Sequence, residues 1–194
     1  MNSTRPPFRR HATEELVARR PSADEREGSR LPVIVVLDNV RSAFNVGLVF
    51  RLCDGVNIRA LWLTGITPYP GVSEHVDNHL RKTAVGGSLA ALPWRHVREV
   101  APELGRLRAE GWHVMVLEQG EPSRDWRTIQ AYPLPLVVVF GHERKGVADP
   151  ILTLADTVVE LPMRGATNSL NVALCTSAVL YDILKRQDMT FGSA

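Results

Sequence analysis

Several short runs in this chain are apolar almost without a break: VIVVLD at residues 33–38, IRALWLTG at 58–65, WHVMVLE at 112–118 and LPLVVVFG at 134–141. A strand with one face in water alternates apolar and polar residues, whereas a strand covered on both faces reads as a continuous Val/Ile/Leu run. These runs are of the second kind. Helical patterns separate them, near residues 46–54, 73–81 and 102–110, the last stopped by Gly111, with a short helix after Asp149, a further strand TVVEL and a long apolar segment up to Leu184. Alternation of fully covered strands with helices predicts an α/β fold with a mostly parallel sheet and helices on both faces.

With 194 residues, 44% hydrophobic and 23% charged, the chain has the size and balance of one soluble globular domain. No apolar run approaches the roughly 20 residues of a membrane span. Residues 1–30 carry arginines, acidic residues, serines and prolines but no apolar h-region, so they read as an N-terminal arm with a short helix near residues 13–20, neither signal peptide nor anchor. Cytoplasmic residence is expected. Cys53 and Cys175 have no CxxC spacing and apolar surroundings, which predicts reduced core thiols and no zinc site. A net charge of +2 permits an anionic partner. Lys82, Lys145 and Lys185 are the only lysines, so nearly all positive charge is arginine; arginine suits phosphate recognition, and a bias toward arginine codons explains it equally well.

Ligands of open α/β sheets bind beyond the carboxyl ends of the strands, which directs attention to the polar loops there. The first is DNVRSAFNVGLVFR, with Asn45, Gly47 and Arg51 at N-x-G-x-x-x-R spacing. Asn45 is placed to cap a helix, and Arg51 to point back toward the loop or simply into solvent. The second, FGHERKGV, has the glycine gap of a phosphate-binding loop at Gly141 and Gly146, but Val147 stands where the lysine is required. Glu143 remains there, either solvated or a hydrogen-bond acceptor. The third is LPMRGATNSLN, residues 161–171. Gly165 offers a conformation closed to other residues, and Thr167, Asn168 and Ser169 supply more cap-type oxygens than one helix needs.

Other chemistries are excluded by what the chain does not spell: no G-x-S-x-G elbow, no G-x-G-x-x-G and no H-E-x-x-H. His75 and His79 stand one helical turn apart without an evident third metal ligand.

Together and in this order, the three loops resemble the motifs of the SpoU (TrmH-like) branch of the SPOUT RNA methyltransferases. That family's first motif resembles Asn45, Gly47 and Arg51; its second, G-x-E-x-x-G after a buried strand, resembles Gly141, Glu143 and Gly146. Its third resembles Leu161, Pro162, Met163, Gly165, Ser169, Leu170 and Asn171. RKTAVGG at 81–87, with Pro93 and Trp94, resembles a subgroup, so the likeness spans residues 31–194, the catalytic domain, after the arm.

The resemblance implies a SPOUT-type α/β knot, in which the C-terminal part of the sheet is threaded into a deep trefoil, an exception to the usual avoidance of knots. It also implies S-adenosylmethionine as cofactor, with methyl transfer to a ribose 2′-hydroxyl of RNA. By motif, Leu117, Gly141, Leu161, Met163 and Leu170 hold the cofactor, and Arg51, Asn45, Glu143, Ser169 and Asn171 form the catalytic set, Glu143 orienting Arg51 or Asn45. It implies a homodimer with the active site at the interface, no metal and no membrane. His142, Arg144 and Lys145 make the second loop more basic than is common in the family. Substrate selection is expected to rest on the catalytic domain, through Arg41, Arg81, Lys82, Arg144 and Arg164. Likeness to stand-alone members favours tRNA; rRNA and a non-catalytic RNA-binding role are the alternatives.

Overall fold

The computed structural model describes residues 9–191; the first eight residues of the expected arm lie outside them. The sheet consists of β1 (Leu31–Asp38), β2 (Ile58–Thr64), β3 (Trp94–Val97), β4 (His113–Leu117), β5 (Arg124–Asp125), β6 (Leu136–Phe140) and β7 (Thr157–Glu160), in the order β3-β2-β1-β6-β4-β7-β5. Every strand pairing in it is parallel. The helices are α1 (Thr13–Ala18), α2 (Ala23–Gly28), α3 (Ala43–Val56), α4 (Glu74–Thr83), α5 (Ser88–Ala91), α6 (Ala101–Ala109), α7 (Asp149–Leu152) and α8 (Val172–Phe191).

The unbroken apolar runs have their expected cause. Val33, Val35 and Leu37 of β1 face one core, shared with Val46, Phe50 and Cys53 of α3, Leu80 of α4 and Leu180 and Ile183 of α8. Ile34 and Val36 face the other, with Leu104 and Leu107 of α6 and Ile151 of α7. Each such side chain contributes roughly 1.5–3 kcal/mol by leaving water, and a one-residue slip would exchange the two faces. Register is therefore fixed across the centre, where Leu37 pairs with Leu63 on one side and Phe140 on the other.

Two helix starts differ from expectation, and both differences concern caps. α3 begins at Ala43 because the Ser42 hydroxyl, not Asn45, accepts the first orphan amide, from Asn45 N at 3.2 Å. Asn45 is thereby left inside the first turn with its side-chain amide free for another partner. α8 begins at Val172 because Asn171 Oδ1 accepts from Ala173 N at 2.8 Å; Thr167, Asn168 and Ser169 take no part in that cap. Gly165 is a further correction: its φ is not left-handed, and a Cβ there would meet nothing within 4 Å. Gly47 is needed for packing instead, since a Cβ would lie 1.9 Å from Thr83 Oγ1 and 3.0 Å from Leu80 O, so its absence lets α4 sit against α3.

The edge strands β3 and β5 escaped the sequence reading because WRHV and the two residues Arg124 and Asp125 carry no apolar run. Tertiary contacts stabilise β3, including Arg95 stacked 3.9 Å over the Trp62 ring. At the amino end of the sheet, Arg30 donates to Asn57 Oδ1 at 3.4 Å and to the carbonyls of Ile58 and Ala91 at 3.3 Å, which ties the base of the arm to the body. Both cysteines are free, and burial raises the thiol pKa of each.

Candidate cofactor and catalytic site

The carboxyl ends of β4, β6 and β7 open onto a cavity of about 320 Å³, at the lower end of the roughly 300–1,000 Å³ typical of small-molecule sites. Leu117 and Phe140, which pair in register at the ends of β4 and β6, line it together with Gly141, His142, Glu143, Arg144 and Gly146 from the loop after β6. The loop after β7 and the start of α8 add Leu161, Met163, Asn168, Ser169, Leu170, Val172 and Cys175. All five residues expected to hold the cofactor, Leu117, Gly141, Leu161, Met163 and Leu170, thus border one space, as do Glu143 and Ser169 of the catalytic set.

The loop 141–148 is held by backbone contacts that leave no room for side chains. A Cβ on Gly141 would lie 2.4 Å from both Gly146 C and Val147 N. Gly146 has a left-handed φ of 70°, and a Cβ there would lie 2.2 Å from Glu118 Oε2. Two carboxylates from the strands flanking β6 then take consecutive amides: Val147 N donates to Glu118 Oε2 at 2.8 Å, and Ala148 N donates to Asp38 Oδ2 at 3.0 Å. Asp38 is buried but satisfied, since Thr64 Oγ1 at 2.9 Å and Asn39 Nδ2 at 2.8 Å also donate to it. Such charge-assisted bonds fix a loop far better than neutral ones.

Glu118 was not among the expected site residues, nor was Gln119, whose Nε2 donates to Asn168 O at 2.9 Å and joins the β4 and β7 loops. The available signal was a carboxylate directly after a buried strand, the same position Asp38 holds. It is a weak one, because most such carboxylates are simply solvated.

The residues expected to be catalytic are only partly brought together. Asn171 Nδ2 donates to Asn45 Oδ1 at 3.0 Å, linking the start of α8 to the first turn of α3 across 126 positions of sequence. Arg51 is exposed on α3, forms no side-chain hydrogen bond or ion pair among the described residues, and does not border the cavity. Glu143 contacts neither Arg51 nor Asn45. Its carboxylate lies 4.0 Å from His142 Nδ1. His142 Nδ1 accepts from the amides of Arg144 at 3.0 Å and Lys145 at 3.3 Å, which engages that nitrogen within its own loop. The Glu143 carboxylate is left facing the cavity.

The five expected RNA contacts, Arg41, Arg81, Lys82, Arg144 and Arg164, are all exposed. Arg41, Arg144 and Arg164 lie in loops at the same carboxyl end of the sheet as the cavity. Arg164 also stands near Asp125, whose carboxyl is lowered to about 2, chiefly by its hydrogen bonds with Arg127. The imidazoles of His75 and His79 lie 4.4 Å apart, tilted by 49°, and no group of three or more metal-type ligands occurs among the described residues. None of the described helices is long and apolar enough to cross a membrane.

The SpoU rRNA methylase family matches this chain over residues 32–181. The chain belongs to that family. It is 32% identical to a tRNA (guanosine(18)-2′-O)-methyltransferase of Thermus thermophilus, over 92% of this chain and 88% of the relative. Among solved structures, the TrmH/SpoU tRNA modifying enzyme of A. aeolicus superposes with a TM-score of 0.72 at 24% identity, covering 87% of this chain and 83% of that one. An AdoMet-bound rRNA methyltransferase from Sinorhizobium meliloti superposes with a TM-score of 0.68 at 27% identity, covering 79% of this chain and 56% of that one. As a member of the family the chain is an S-adenosylmethionine-dependent RNA methyltransferase.

The residues present suit that cofactor. The cavity at the strand ends pairs apolar side chains, Leu117, Leu161, Met163 and Leu170, with a loop whose backbone is bare at Gly141, and a nucleoside bearing a charged amino-acid tail needs both kinds of surface.

Proposed function

We propose that this chain is a tRNA ribose 2′-O-methyltransferase that acts in the cytoplasm as a homodimer, with its active site completed across the interface. The observation that carries the reading is the separation, within one chain, of the cavity at the strand ends from an exposed Arg51 with no ion-pair partner among the described residues. The tRNA preference rests on the Thermus relative.

Support for the dimer comes from exposed apolar side chains on α3, on α8 and just before α8. Phe44, Leu170, Leu174 and Tyr181 are all exposed, Leu174 by 59%. Leu174 and Tyr181 share one face of α8, being seven residues apart, as do Phe44 and Arg51 on α3. A second copy packed on this surface covers the apolar patch and presents Arg51 to the neighbouring cavity, in an isologous pairing that produces two such sites. The family likeness is what supports a knotted chain path, and the placement of β6 between β1 and β4 is compatible with it.

S-adenosylmethionine supplies an electrophilic methyl group on a sulfonium. The protein has to align a ribose hydroxyl with it and ease departure of the hydroxyl proton. The Arg51 guanidinium grips the adjacent phosphate and stabilises the developing alkoxide rather than acting as a base, and the hydroxyl proton leaves to solvent water as the methyl group transfers. Ser169, at the cavity rim, and the Asn45–Asn171 pair set the ribose and the Arg51-bearing helix relative to the cofactor loops. Glu143 is free to orient a group arriving from the partner subunit.

The test is transfer of labelled methyl into RNA from a strain lacking this gene, with nucleoside digestion of the tRNA and rRNA fractions. A 2′-O-methyl nucleoside in tRNA is expected; label in rRNA would reassign the substrate, and cofactor binding without label would point to a non-catalytic RNA-binding role. Arg51→Ala should abolish turnover with cofactor affinity retained. Loss of cofactor binding would contradict the role given to Arg51.

A further inference from the structure

The loop after β2, residues 65–72, is built with unusual care for a segment outside the site already described. Thr67, only 1% exposed, donates to Leu37 O and accepts from Val40 N, both at 3.0 Å. Ile66 N donates to Asn39 Oδ1 at 3.2 Å, from an Asn39 held in a left-handed conformation. Gly71 N donates to Asp77 Oδ1 at 2.8 Å, which ties the far end of the loop to α4. A loop anchored at both ends and in the middle is rigid, and rigid loops on a scaffold commonly carry recognition.

Its outer surface is made for an aromatic partner. Ile66 is 64% exposed. Beside it lie the half-buried rings of Tyr69, packed against the core, and His96, 4.3 Å apart and tilted by 30°, and His96 Nε2 lies 3.0 Å from Gly65 O, which fixes the imidazole plane. Exposed arginines follow the two strands that neighbour β2, Arg41 after β1 and Arg98 after β3. The cluster stands at the carboxyl end of the sheet, like the cofactor cavity, and β2 is two strands from β6, roughly 10 Å at the usual strand spacing.

Resting on the RNA methyltransferase reading above, we propose that Ile66, Tyr69 and His96 form a stacking platform for an unpaired base next to the methylated nucleotide, with Arg41 and Arg98 on its phosphates. Single-stranded RNA is recognised by stacking splayed bases on Tyr or His rings and neutralising phosphates with arginine. An oriented ring pair, with exposed arginines in the loops after the neighbouring strands, offers both.

The test compares His96→Ala and His96→Phe with wild type, using undermethylated RNA from the gene-deleted strain, and then the same RNA carrying an abasic residue beside the modified position. His96→Ala should raise KM for RNA about tenfold, the loss expected for one base stack, with cofactor Kd and kcat unchanged and with His96→Phe close to wild type. The abasic RNA should cost wild type a similar factor and cost His96→Ala nothing further. An unchanged KM in His96→Ala overturns the proposal. So does a His96→Phe variant as impaired as His96→Ala, which would assign the ring only to the fold of the loop, and so does a full additional abasic penalty on His96→Ala. Wild-type protein that transfers no methyl to any RNA would instead overturn the underlying functional reading, and this platform with it.

Discussion

Adding one methyl group at Gly141 tests whether the loop 141–148 is positioned by backbone-to-backbone contact. The new Cβ would lie 2.4 Å from Gly146 C and Val147 N and 2.6 Å from Gly146 O, where unstrained carbon contacts need about 3.5 Å. The loop must retreat by about 1 Å. It cannot do so freely, because Val147 N is bonded to Glu118, Ala148 N to Asp38, and the His142 and Gly146 amides to each other's carbonyls at 3.1 and 2.9 Å. Overpacking of this kind costs about 1–3 kcal/mol. At about 2 kcal/mol, a chain of this size should lose about 4–8 °C in Tm. The cavity wall moves with the loop, so cofactor affinity should fall at least about tenfold, the equivalent of one lost hydrogen bond. Thermal denaturation and calorimetric titration with S-adenosylmethionine measure both effects. Gly165→Ala is the control, having open space around its Cβ, and should leave Tm unchanged. A Gly141→Ala protein that melts with wild type and binds the cofactor equally well would refute the reasoning.

Leu174→Glu places a charge in the proposed interface without touching the monomer core; it should sediment as a monomer and lose methyl transfer, and a monomeric variant with full activity would exclude a composite site. Asn171→Ala removes both the α8 cap and the partner of buried Asn45, which should cost about 1–2 kcal/mol. Asn171→Asp keeps the cap and can accept from a rotated Asn45 amide, so it should recover most of that loss; equal destabilisation of both would show that capping is irrelevant. His113, bonded to Thr157 Oγ1 at 2.9 Å, has its pKa lowered by burial. The unfolded chain therefore takes up this proton first, and the contribution of neutral His113 is intact above about pH 6.5. It is lost as the pH falls below that toward the folded-state value. Tm measured between pH 7 and 5 should fall more steeply in wild type than in His113→Gln, and parallel curves would rule the linkage out.

The central strands were legible in the sequence because covering both faces of a parallel strand forces continuous apolar runs, whereas the edge strands β3 and β5 are under no such constraint. Loop motifs at strand ends were legible for a related reason: Gly47, Gly141 and Gly146 mark places where any side chain would collide with a neighbour. The neighbours themselves were not. That Gly47 faces Thr83, Gly141 faces Gly146 and Gly146 faces Glu118 depends on how helices and loops dock.

The same limit explains which site residues were missed. Glu118 and Asp38 act on the amides of Val147 and Ala148, and a backbone N–H has no identity in the sequence. Asn45 and Asn171 could each have been a simple cap by local pattern; Ser42 capping α3 and the return of α8 onto α3 made one of them a partner for the other. The apolar residues of α8 likewise promised burial on every side, yet only the tertiary packing separates Leu180 and Ile183, inside the core, from Leu174 and Tyr181, outside it. Local periodicity and steric necessity are written along the chain, whereas the meeting of distant polar groups is decided by the fold that brings their strand ends together.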